Sequence, residues 1–586
     1  MSASTPNDGV VGNGRVDLAG APGVSPTVLS GRGRQRRLIV DTLVLGVAGA
    51  AAAQLFTLLL HWSSAFFLGQ LAGYTVPGLP SEGGAPNQII GAHGLWLIPV
   101  VAALGGLIVG AITERFAPEA EGHGTDAVVR AFHRSDGVLR GRVAPVKLFA
   151  SAITIGSGGS AGREGPIALV SASVASWYAT ITKREARDRR LLLLVGAAAG
   201  LSAVFRSPIG TALMVIEVLY SDMEFEAGAL LYATLGAIVA YALNGLVVGW
   251  EPLFRIPPLA PLRNPIDSGW YIALGIVAGI VATATPEMFY RTRDTFRRLP
   301  IPPFVRPAIG AGLTGLIAIA LPQVIGGGYG WMQMAIDGRL ALGTLAVLVV
   351  AKLVAMSLTV GSGGSGGVFA PTLYIGAMLG GVVALVAGLP PAPFVIVGMA
   401  AVFAGAARVP IATLMMVTEM TGGYTLLVPA ALAVIISYFV QVRLSHYTRY
   451  KSLYEAQVTT RAASPAHHAQ HLEIALKLLR EQAPHDLSSM GELDLVALLR
   501  SGMAVELPGG RRLAAGALKA DSPYVGTTVG ASGRKLDGGD TNIVALVRDE
   551  HMLVPNAATI LEAGDRLVVV ASETGLQLLR ANLLPW

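Results

Sequence analysis

The most informative stretch of this sequence is GSGGSAGREGP, residues 156–166, which is nearly repeated as GSGGSGGVFAP at 361–371. In each copy a glycine-rich turn ends in a proline, Pro166 or Pro371, and an apolar run follows. Proline is favoured in the first turn of a helix, so each copy predicts a helix N-terminus. Unpaired N–H groups and the helix dipole make such an end a binding site for anions, and glycines let an ion approach the backbone closely.

A second pair of motifs indicates that the whole region is duplicated. FRSPIGTALMVIE at 205–217 is matched by ARVPIATLMMVTE at 407–419, and the two motif pairs are offset by 205 and 202 residues. Close helix packing explains the glycines, but it does not explain the shared order of the motifs. Duplicated halves of transporters place the substrate site near the bilayer midplane, where broken helices converge.

The composition is that of a membrane protein. The 586 residues are 53% hydrophobic and 14% charged, with a mean hydropathy of +0.58, which is too apolar for one soluble core. Many apolar runs are broken by Gly and Pro, which in lipid requires that the freed backbone is buried in protein or lines a cavity. We predict an all-α polytopic fold with broken helices, whose apolar runs include 38–60, 95–112, 191–204, 228–249, 307–324, 341–360, 373–388 and 425–442.

The charges at the two ends of the apolar region predict its orientation. Basic residues precede the first run and follow the last one, namely Arg32, Arg34, Arg36, Arg37, Arg443, Arg449 and Lys451. This bias predicts a multi-pass protein of the cell membrane with both termini in the cytoplasm. Residues 1–35 are predicted to be a disordered tail and contain no signal peptide.

Glu164 and Arg163 are charged residues inside the first glycine-rich stretch. A carboxylate within a membrane is costly and is typical of a functional site. Glu164 lies in the positive field of the predicted helix end, so we expect it to compete with an anion for that site. Arg163 either neutralises or positions Glu164, or it belongs to a structural salt bridge.

These residues resemble the CLC family of chloride channels and chloride/proton antiporters. Gly162-Arg163-Glu164-Gly165-Pro166 matches its GREGP motif, and Gly367-Val368-Phe369-Ala370-Pro371 matches its GxFxP motif. Residues 205–217 resemble its FxxPxxGxxFxxE segment, and Tyr454 resembles the tyrosine at the inner end of the pathway. The resemblance assigns 36–457 to a CLC-like anion-transport domain.

The resemblance implies an inverted repeat and a homodimer with one anion pathway per subunit. It also implies that Glu164 is the external gate, and that Tyr454 closes the inner end. The residues expected beside a bound chloride or other small anion are Gly165, Phe369, Ala370 and Tyr454.

The first departure from the family concerns the anion ligand. The family's GSGIP motif supplies a serine about forty residues before GREGP, where this chain has Gly122-His123-Gly124-Thr125-Asp126. His123 is either a surface-loop residue or a donor to the anion. A neutral imidazole donates one N–H, and an imidazole that becomes protonated near pH 6.5 adds a positive charge. In the second case His123 makes anion flux sensitive to pH.

The second departure concerns protons. Antiporters of the family often carry a glutamate directly after the position of Glu217, and this chain has Val218 there. The absence of that relay group favours a passive chloride channel. The alternative is a chloride/proton or fluoride/proton antiporter, because some relatives couple protons without this glutamate.

Several other classes of function are excluded by the motifs. GGGYGW at 326–331 contains the Gly-Tyr-Gly of potassium filters but lacks their preceding Thr-Val, so we interpret it as a loop at a helix end. The chain has no HExxH motif, no phosphate-binding GK[ST] and no cysteine, and we predict neither an enzyme nor a metal site. No interleaved basic and aromatic residues suggest nucleic-acid binding.

The composition changes after residue 457. We predict a linker with short helices at 458–507, followed by a cytoplasmic α+β domain at 508–586 with strands AAGALKA, NIVALVRD and DRLVVVAS. SPYVG at 522–526 and LEAGDRL at 561–567 resemble the C-terminal domain of TrkA-type potassium-uptake regulators. The resemblance implies dimerisation and regulation by a ligand such as cyclic di-AMP, or a dimer-stabilising module without a ligand.

Overall fold

A computed structural model divides the chain into two compact units, one of which spans Arg36–Thr460 while the other contains the C-terminal residues from Arg461 onward. We call them the membrane unit and the C-terminal unit. The residues described are 32–82, 84–92, 94–258, 265–461, 464–466, 504–506, 511–532, 541–548, 551–553 and 555–585. The predicted tail over 1–31 and the predicted short helices at 472–480 and 492–500 lie outside these residues.

The first half of the membrane unit begins with a long helix. Helix α1, Arg32–Ser64, continues as a π-helical segment, Ala65–Leu71, so the last four residues of the predicted tail are helical instead. A short antiparallel pair, β1 at Tyr74–Thr75 and β2 at Ile89–Ile90, follows. Seven helices complete this half: α2 Ile98–Phe116, α3 Thr125–Arg134, α4 Val143–Gly156, α5 Glu164–Ile181, α6 Ala186–Phe205, α7 Pro208–Glu217 and α8 Ala227–Val248.

The second half repeats this order. Helix α9, Pro265–Arg298, opens it and was not among the predicted apolar runs, because its apolar part meets Pro286 and continues into a charged stretch. Seven helices again follow: α10 Arg306–Ala320, α11 Tyr329–Ile336, α12 Leu342–Gly361, α13 Phe369–Ala387, α14 Pro391–Ala407, α15 Pro410–Thr421 and α16 Leu427–Leu444. The matching order of the two sets confirms the predicted internal repeat.

The helices differ in length as the broken runs predict. In the described part of the chain, eight helical segments are long and apolar enough to cross a bilayer, whereas α4, α7 and α14 are apolar but shorter. Helices α5 and α13 begin two residues before Pro166 and Pro371, which places each proline in the first turn. The first residues of both helices, Glu164 and Phe369, are buried, so both helices begin inside the protein, where their N-terminal N–H groups face other residues instead of lipid.

Close helix packing in the second half depends on glycine. A Cβ on Gly380 of α13 would lie 2.0 Å from the Phe394 carbonyl oxygen of α14, and one on Gly376 would lie 2.2 Å from that of Gly398. Small residues at these positions let the two backbones approach, which is a common way for membrane helices to associate.

The C-terminal unit is built on an antiparallel sheet. Its strands are β3 Val505–Glu506, β4 Arg512–Leu518, β5 Asn542–Arg548, β6 His551–Leu553, β7 Arg566–Ala571 and β8 Leu583–Leu584, in the order β3-β4-β7-β5-β6 with β8 beside β4. Helix α17, Glu573–Arg580, packs Leu576 and Leu579 onto the core. The sheet starts before the predicted boundary at 508, because β3 pairs with β4.

Candidate anion pathway

The two glycine-rich stretches meet at a single backbone bridge. Gly162 N donates to Gly367 O at 2.8 Å, and Gly367 N donates to Gly162 O at 2.7 Å. The two glycines occupy equivalent positions of the repeat, so the bridge lies on the symmetry axis that relates the halves. Helices α5 and α13 each begin two residues after the bridge, which brings two helix N-termini to one place.

Two buried lysines donate hydrogen bonds to backbone carbonyl groups of the loops on either side of this bridge. Lys147 of α4 donates to the carbonyl oxygens of Ala120 and Gly122 at 3.0 and 2.6 Å. Lys352 of α12 donates to those of Val324 and Gly326 at 2.8 and 2.6 Å.

The two loops that these lysines bind occupy equivalent positions in the two halves of the repeat. One precedes α3 and contains His123, and the other precedes α11 and belongs to GGGYGW, which is a loop at a helix end as predicted. The lysines were missed in the sequence, although each lies nine residues before the glycine that opens its Gly-Ser stretch.

Glu164 occupies the N-terminus of the opposite helix. Its carboxylate accepts a hydrogen bond from the Tyr329 hydroxyl and lies 3.4 Å from Ala370 N, at the start of α13. The side chain is 1% exposed. A negative group therefore sits where the N–H groups and dipole of α13 favour an anion. Tyr329 was not predicted as a site residue.

Phe369 and Tyr454 border a small cavity together with Glu164. This cavity has a volume of about 30 Å³ and is also lined by Thr125, Gly165 and Val218. A single water needs roughly 10–15 Å³, so the cavity has room for a water or a small ion. Phe369 is held by Phe205 and Phe403, whose ring centres lie 4.7 and 4.1 Å from its own. Tyr454 is 2% exposed and lines the cavity beside Thr125.

His123 is buried, which excludes the surface-loop alternative. It is 6% exposed, and its Nε2 lies 3.2 Å from Asp126 Oδ2. Its ring centre is 5.6 Å from that of Tyr454 and 6.1 Å from that of Phe289. It does not line the small cavity. It lines a larger one of about 440 Å³, which we call the vestibule.

The vestibule carries charges of both signs. Its walls include carboxylates and guanidinium groups, namely Glu119, Glu121, Arg130, Arg140, Arg293, Arg297 and Glu455. Glu119 pairs with Arg140 and Glu455 pairs with Arg293, so much of this charge is compensated within the wall. Gly122 and Gly124 of the His123 loop have φ values of +72° and +88°, a backbone region that favours glycine.

Arg163 does not bind Glu164 directly. Its guanidinium contacts the two carboxylate oxygens of Glu82 at 2.5 and 3.3 Å and lies 5.0 Å from the ring centre of Tyr329. Of the two roles expected for Arg163, the structure shows the salt bridge. Arg163 still acts on the gate indirectly, because Tyr329 lies between it and Glu164.

Comparison with known proteins agrees with this arrangement. Residues 105–442 match the family model of voltage-gated chloride channels, the CLC family. The chain belongs to this family. The CLC protein is therefore an anion-transporting membrane protein, and its residues 514–584 match the model of the TrkA-C domain.

Individual relatives include both a channel protein and an exchanger. The CLC protein is 31% identical over 363 residues to a ClcB-like chloride channel protein of Ralstonia nicotianae, covering 58% of this chain and 82% of that protein. It is 31% identical over 350 residues to the H⁺/Cl⁻ exchange transporter ClcA of Salmonella agona, covering 57% and 73%.

Solved structures share the fold. A CLC-type fluoride/proton antiporter superposes with a TM-score of 0.62 at 23% identity, covering 74% of this chain and 100% of that one. A slow cyanobacterial Cl⁻/H⁺ antiporter superposes with a TM-score of 0.59 at 23% identity, covering 71% and 95%. At this identity the likeness concerns the fold alone.

Glu217, the carboxylate next to Val218, has a structural role in the CLC protein. It accepts hydrogen bonds from Ile411 N and Ala412 N at 3.2 and 2.7 Å, at the start of α15. Its repeat counterpart Glu419 accepts from Ser207 Oγ and Gly210 N at 2.6 and 2.9 Å, at the start of α7. Each half therefore caps a short helix of the other half.

Proposed function

We propose that this CLC protein exchanges chloride for protons across the cell membrane. The observation that carries the proposal is the position of the Glu164 carboxylate, which lies against Ala370 N at the end of α13 and beside the small cavity. An exchange transporter among the relatives favours this function over the passive channel expected from Val218. We therefore prefer exchange, which was the alternative prediction.

The exchange follows from competition for one position. When Glu164 is ionised, its carboxylate occupies the helix end and excludes an anion of the same sign. When Glu164 takes up a proton, the neutral carboxyl no longer competes, and the N–H groups are free to bind chloride. Proton binding and anion binding at this place are thus linked, and each promotes the other. Because the ionised carboxylate and the anion cannot occupy this position together, chloride entering from one side displaces the carboxylate, which then takes up a proton and carries it the other way.

Glu164→Gln tests this mechanism in liposomes. Glutamine cannot carry a proton, so we expect chloride flux to persist while chloride-driven proton flux is abolished and the pH dependence of the gate is lost. Chloride and proton fluxes are measured together with ion-selective electrodes. Glu251→Gln is the control, because that side chain is 65% exposed and lies away from the cavity. An unchanged ratio of protons to chloride in Glu164→Gln contradicts the proposal.

Fluoride/proton exchange is a second candidate. The observation that favours it is the departure at His123, since relatives selective for fluoride also depart from the GSGIP serine. Fluoride and chloride efflux from the same liposomes distinguishes the two candidates. Chloride transport that is much slower than fluoride transport would replace the first assignment with the second.

We further propose, from the family resemblance, a homodimer in the lipid bilayer with both termini in the cytoplasm. The chain contains no cysteine, so single cysteines introduced near either end provide clean reporters. We expect them to react only with reagents on the cytoplasmic side. Mass photometry in detergent measures the subunit number, and a monomer contradicts the dimer.

We also propose that the C-terminal unit regulates transport by binding a ligand, with cyclic di-AMP as the first candidate. The match to the TrkA-C domain supports this role. Calorimetry of the full chain with cyclic di-AMP is the test. The absence of heat at high ligand concentration rejects this ligand and favours a purely dimer-stabilising module.

A further inference from the structure

We propose that His123, oriented by Asp126, accepts protons in the vestibule and delivers them to Glu164. The inference rests on the proposed exchange function and identifies the group on the vestibule side that the exchange requires.

Asp126 is held in place by contacts from three parts of the membrane unit. Its Oδ1 accepts a hydrogen bond from Ala456 N at 3.1 Å. Its Oδ2 lies 3.4 Å from the Tyr290 hydroxyl and 3.2 Å from His123 Nε2. A carboxylate that accepts from one imidazole nitrogen fixes the tautomer of the ring. The neutral His123 therefore carries its hydrogen on Nε2.

The other ring nitrogen of His123 is consequently a proton acceptor. Nδ1 is buried and has no hydrogen-bond partner among the described residues. In the neutral ring it holds a lone pair, so it cannot donate to an anion. His123 lines the vestibule, so a local opening that admits vestibule water to the buried Nδ1 lets this atom accept a proton.

The proton route from His123 leads past Tyr454. The two rings are 5.6 Å apart, and Tyr454 lines the small cavity together with Glu164. In the transfer a proton from vestibule water forms the Nδ1–H bond. That bond then breaks, and the proton reaches the Glu164 carboxylate through water in the small cavity. Glu164 becomes a neutral carboxyl, and His123 returns to its neutral tautomer.

Other groups near these cavities are less suited to the task. Val218 carries no proton, and Glu217 is engaged in capping α15. Several charged and titratable groups surround His123. They are Asp126 and Arg130 of α3, Lys147 of α4, Tyr290, Arg293 and Arg297 of α9, Tyr454 and Glu455 of the segment after α16, and the loop residues Glu119, Glu121 and Arg140. Arginines do not release protons. Lys147 already binds two carbonyl groups, and Glu119 and Glu455 are in ion pairs.

Glu121 is the carboxylate that competes with His123 for this role. It lines the same vestibule but lies outside the contacts that fix Asp126. The experiment therefore compares the two residues directly.

The test uses the full chain in liposomes with an imposed chloride gradient. His123→Ser removes the proton acceptor and keeps a hydroxyl that can donate to an anion. We expect its proton flux to fall by about 100-fold or more, the scale of general acid–base effects, while chloride flux is retained. Asp126→Asn tests the positioning residue, and we expect a lower proton flux and a shifted pH profile. His446→Asn, an exposed histidine, is the control.

The outcomes separate this inference from the exchange function. Wild-type protein that moves no protons overturns the exchange function. Wild-type exchange that is unchanged in both His123→Ser and Asp126→Asn overturns the role of His123 alone. Loss of coupling in Glu121→Gln with normal coupling in His123→Ser assigns the role to Glu121 instead. If His123→Ser also loses chloride flux, the Asp126→Asn variant decides the question, because it leaves His123 in place. Normal proton coupling in Asp126→Asn then rejects the proposal.

Discussion

Tyr329 connects the gate to an ion pair at the protein surface. Its hydroxyl donates to Glu164, and its ring lies under Arg163, which binds the partly exposed Glu82. A hydrogen bond to a charged group contributes roughly 1.5–3 kcal/mol. Tyr329 therefore stabilises the conformation in which the carboxylate occupies the end of α13.

Tyr329→Phe is expected to weaken this closed conformation. The loss of one hydrogen bond to the carboxylate should raise chloride flux by about tenfold, since about 1.4 kcal/mol corresponds to a factor of ten. Chloride efflux from liposomes provides the measurement. Tyr374→Phe is the matched control, because that buried hydroxyl has no hydrogen-bond partner among the described residues. Equal flux in the two variants would show that Tyr329 does not hold the gate.

Individual site residues were predictable where a motif carried them. Glu164, Phe369 and Tyr454 were identified from short motifs, and the structure brings them to one cavity. Tyr329 and Glu82 were missed, because Tyr329 begins α11 and Glu82 ends a short 3-10 turn, and the contacts of both with Arg163 depend on the tertiary fold. The sequence also left the role of Arg163 open, since a salt bridge between residues 82 and 163 leaves no local pattern.

At the scale of elements, the caps of α7 and α15 are the most informative feature. Both helices are short, and each receives a carboxylate from the other half. Side-chain caps contribute about 0.5–2 kcal/mol, and the charge of a carboxylate adds to the interaction with the helix dipole.

Glu419→Gln and Glu217→Gln are therefore expected to destabilise the membrane unit by similar amounts, about 1–2 kcal/mol each. The amide keeps the size of the side chain but loses the charge. Thermal unfolding in detergent, followed by intrinsic fluorescence, gives the comparison. Glu287 is unsuitable as a control because it binds the backbone of Arg449 and Tyr450, so the exposed Glu251→Gln serves instead. Unfolding temperatures equal to that of Glu251→Gln would contradict the capping role.

Elements were predictable where local signals agreed with the fold. Glycine followed by proline placed the starts of α5 and α13 within two residues. Helix α9 was missed because Pro286 and the following charges mask its apolar part, and neighbouring helices supply the packing that keeps it continuous. Strand β3 was missed because two residues are too few to show the alternation of apolar and polar residues that is typical of a strand. Only its pairing with β4 defines it.

At the scale of the whole molecule, the two units have separate hydrophobic cores. In the C-terminal unit, Arg548 binds the buried Asp565 through two hydrogen bonds of 2.8 and 2.7 Å. The hydrogen bond that Arg548 donates to the Asp565 carboxylate raises the pKa of Arg548, so the guanidinium stays charged over the physiological pH range. Asp565 also accepts from Glu562 N and so fixes the turn before β7.

Asp565→Asn should unfold the C-terminal unit more readily than the membrane unit. Loss of a charged hydrogen-bond partner costs about 1.5–3 kcal/mol. We expect faster proteolysis after residue 504, whereas chloride flux through the membrane unit persists. Glu562→Gln is the control, because that partner of Arg548 is 60% exposed. Loss of chloride flux together with the C-terminal unit would instead make that unit essential for transport.

The family and the two-unit organisation were predictable because motifs and composition are distributed along the whole chain. The choice between channel and exchanger was not, since it depends on where protons can pass. The sequence shows only that Val218 lacks a carboxyl group, whereas the hydrogen bond from Ala456 N that holds Asp126 depends on how α3 meets the segment after α16.

The exchanged caps have a consequence for how the chain matures in the cell. While the ribosome is still producing the second half, the N–H groups at the start of α7 have no carboxylate to receive them, because Glu419 has not yet been made. The first half therefore remains an incomplete intermediate in the translocation machinery, and a chain truncated before Glu419 should be recognised by membrane quality control. When the two halves are co-expressed as separate chains, each half should supply the carboxylate that the other half lacks.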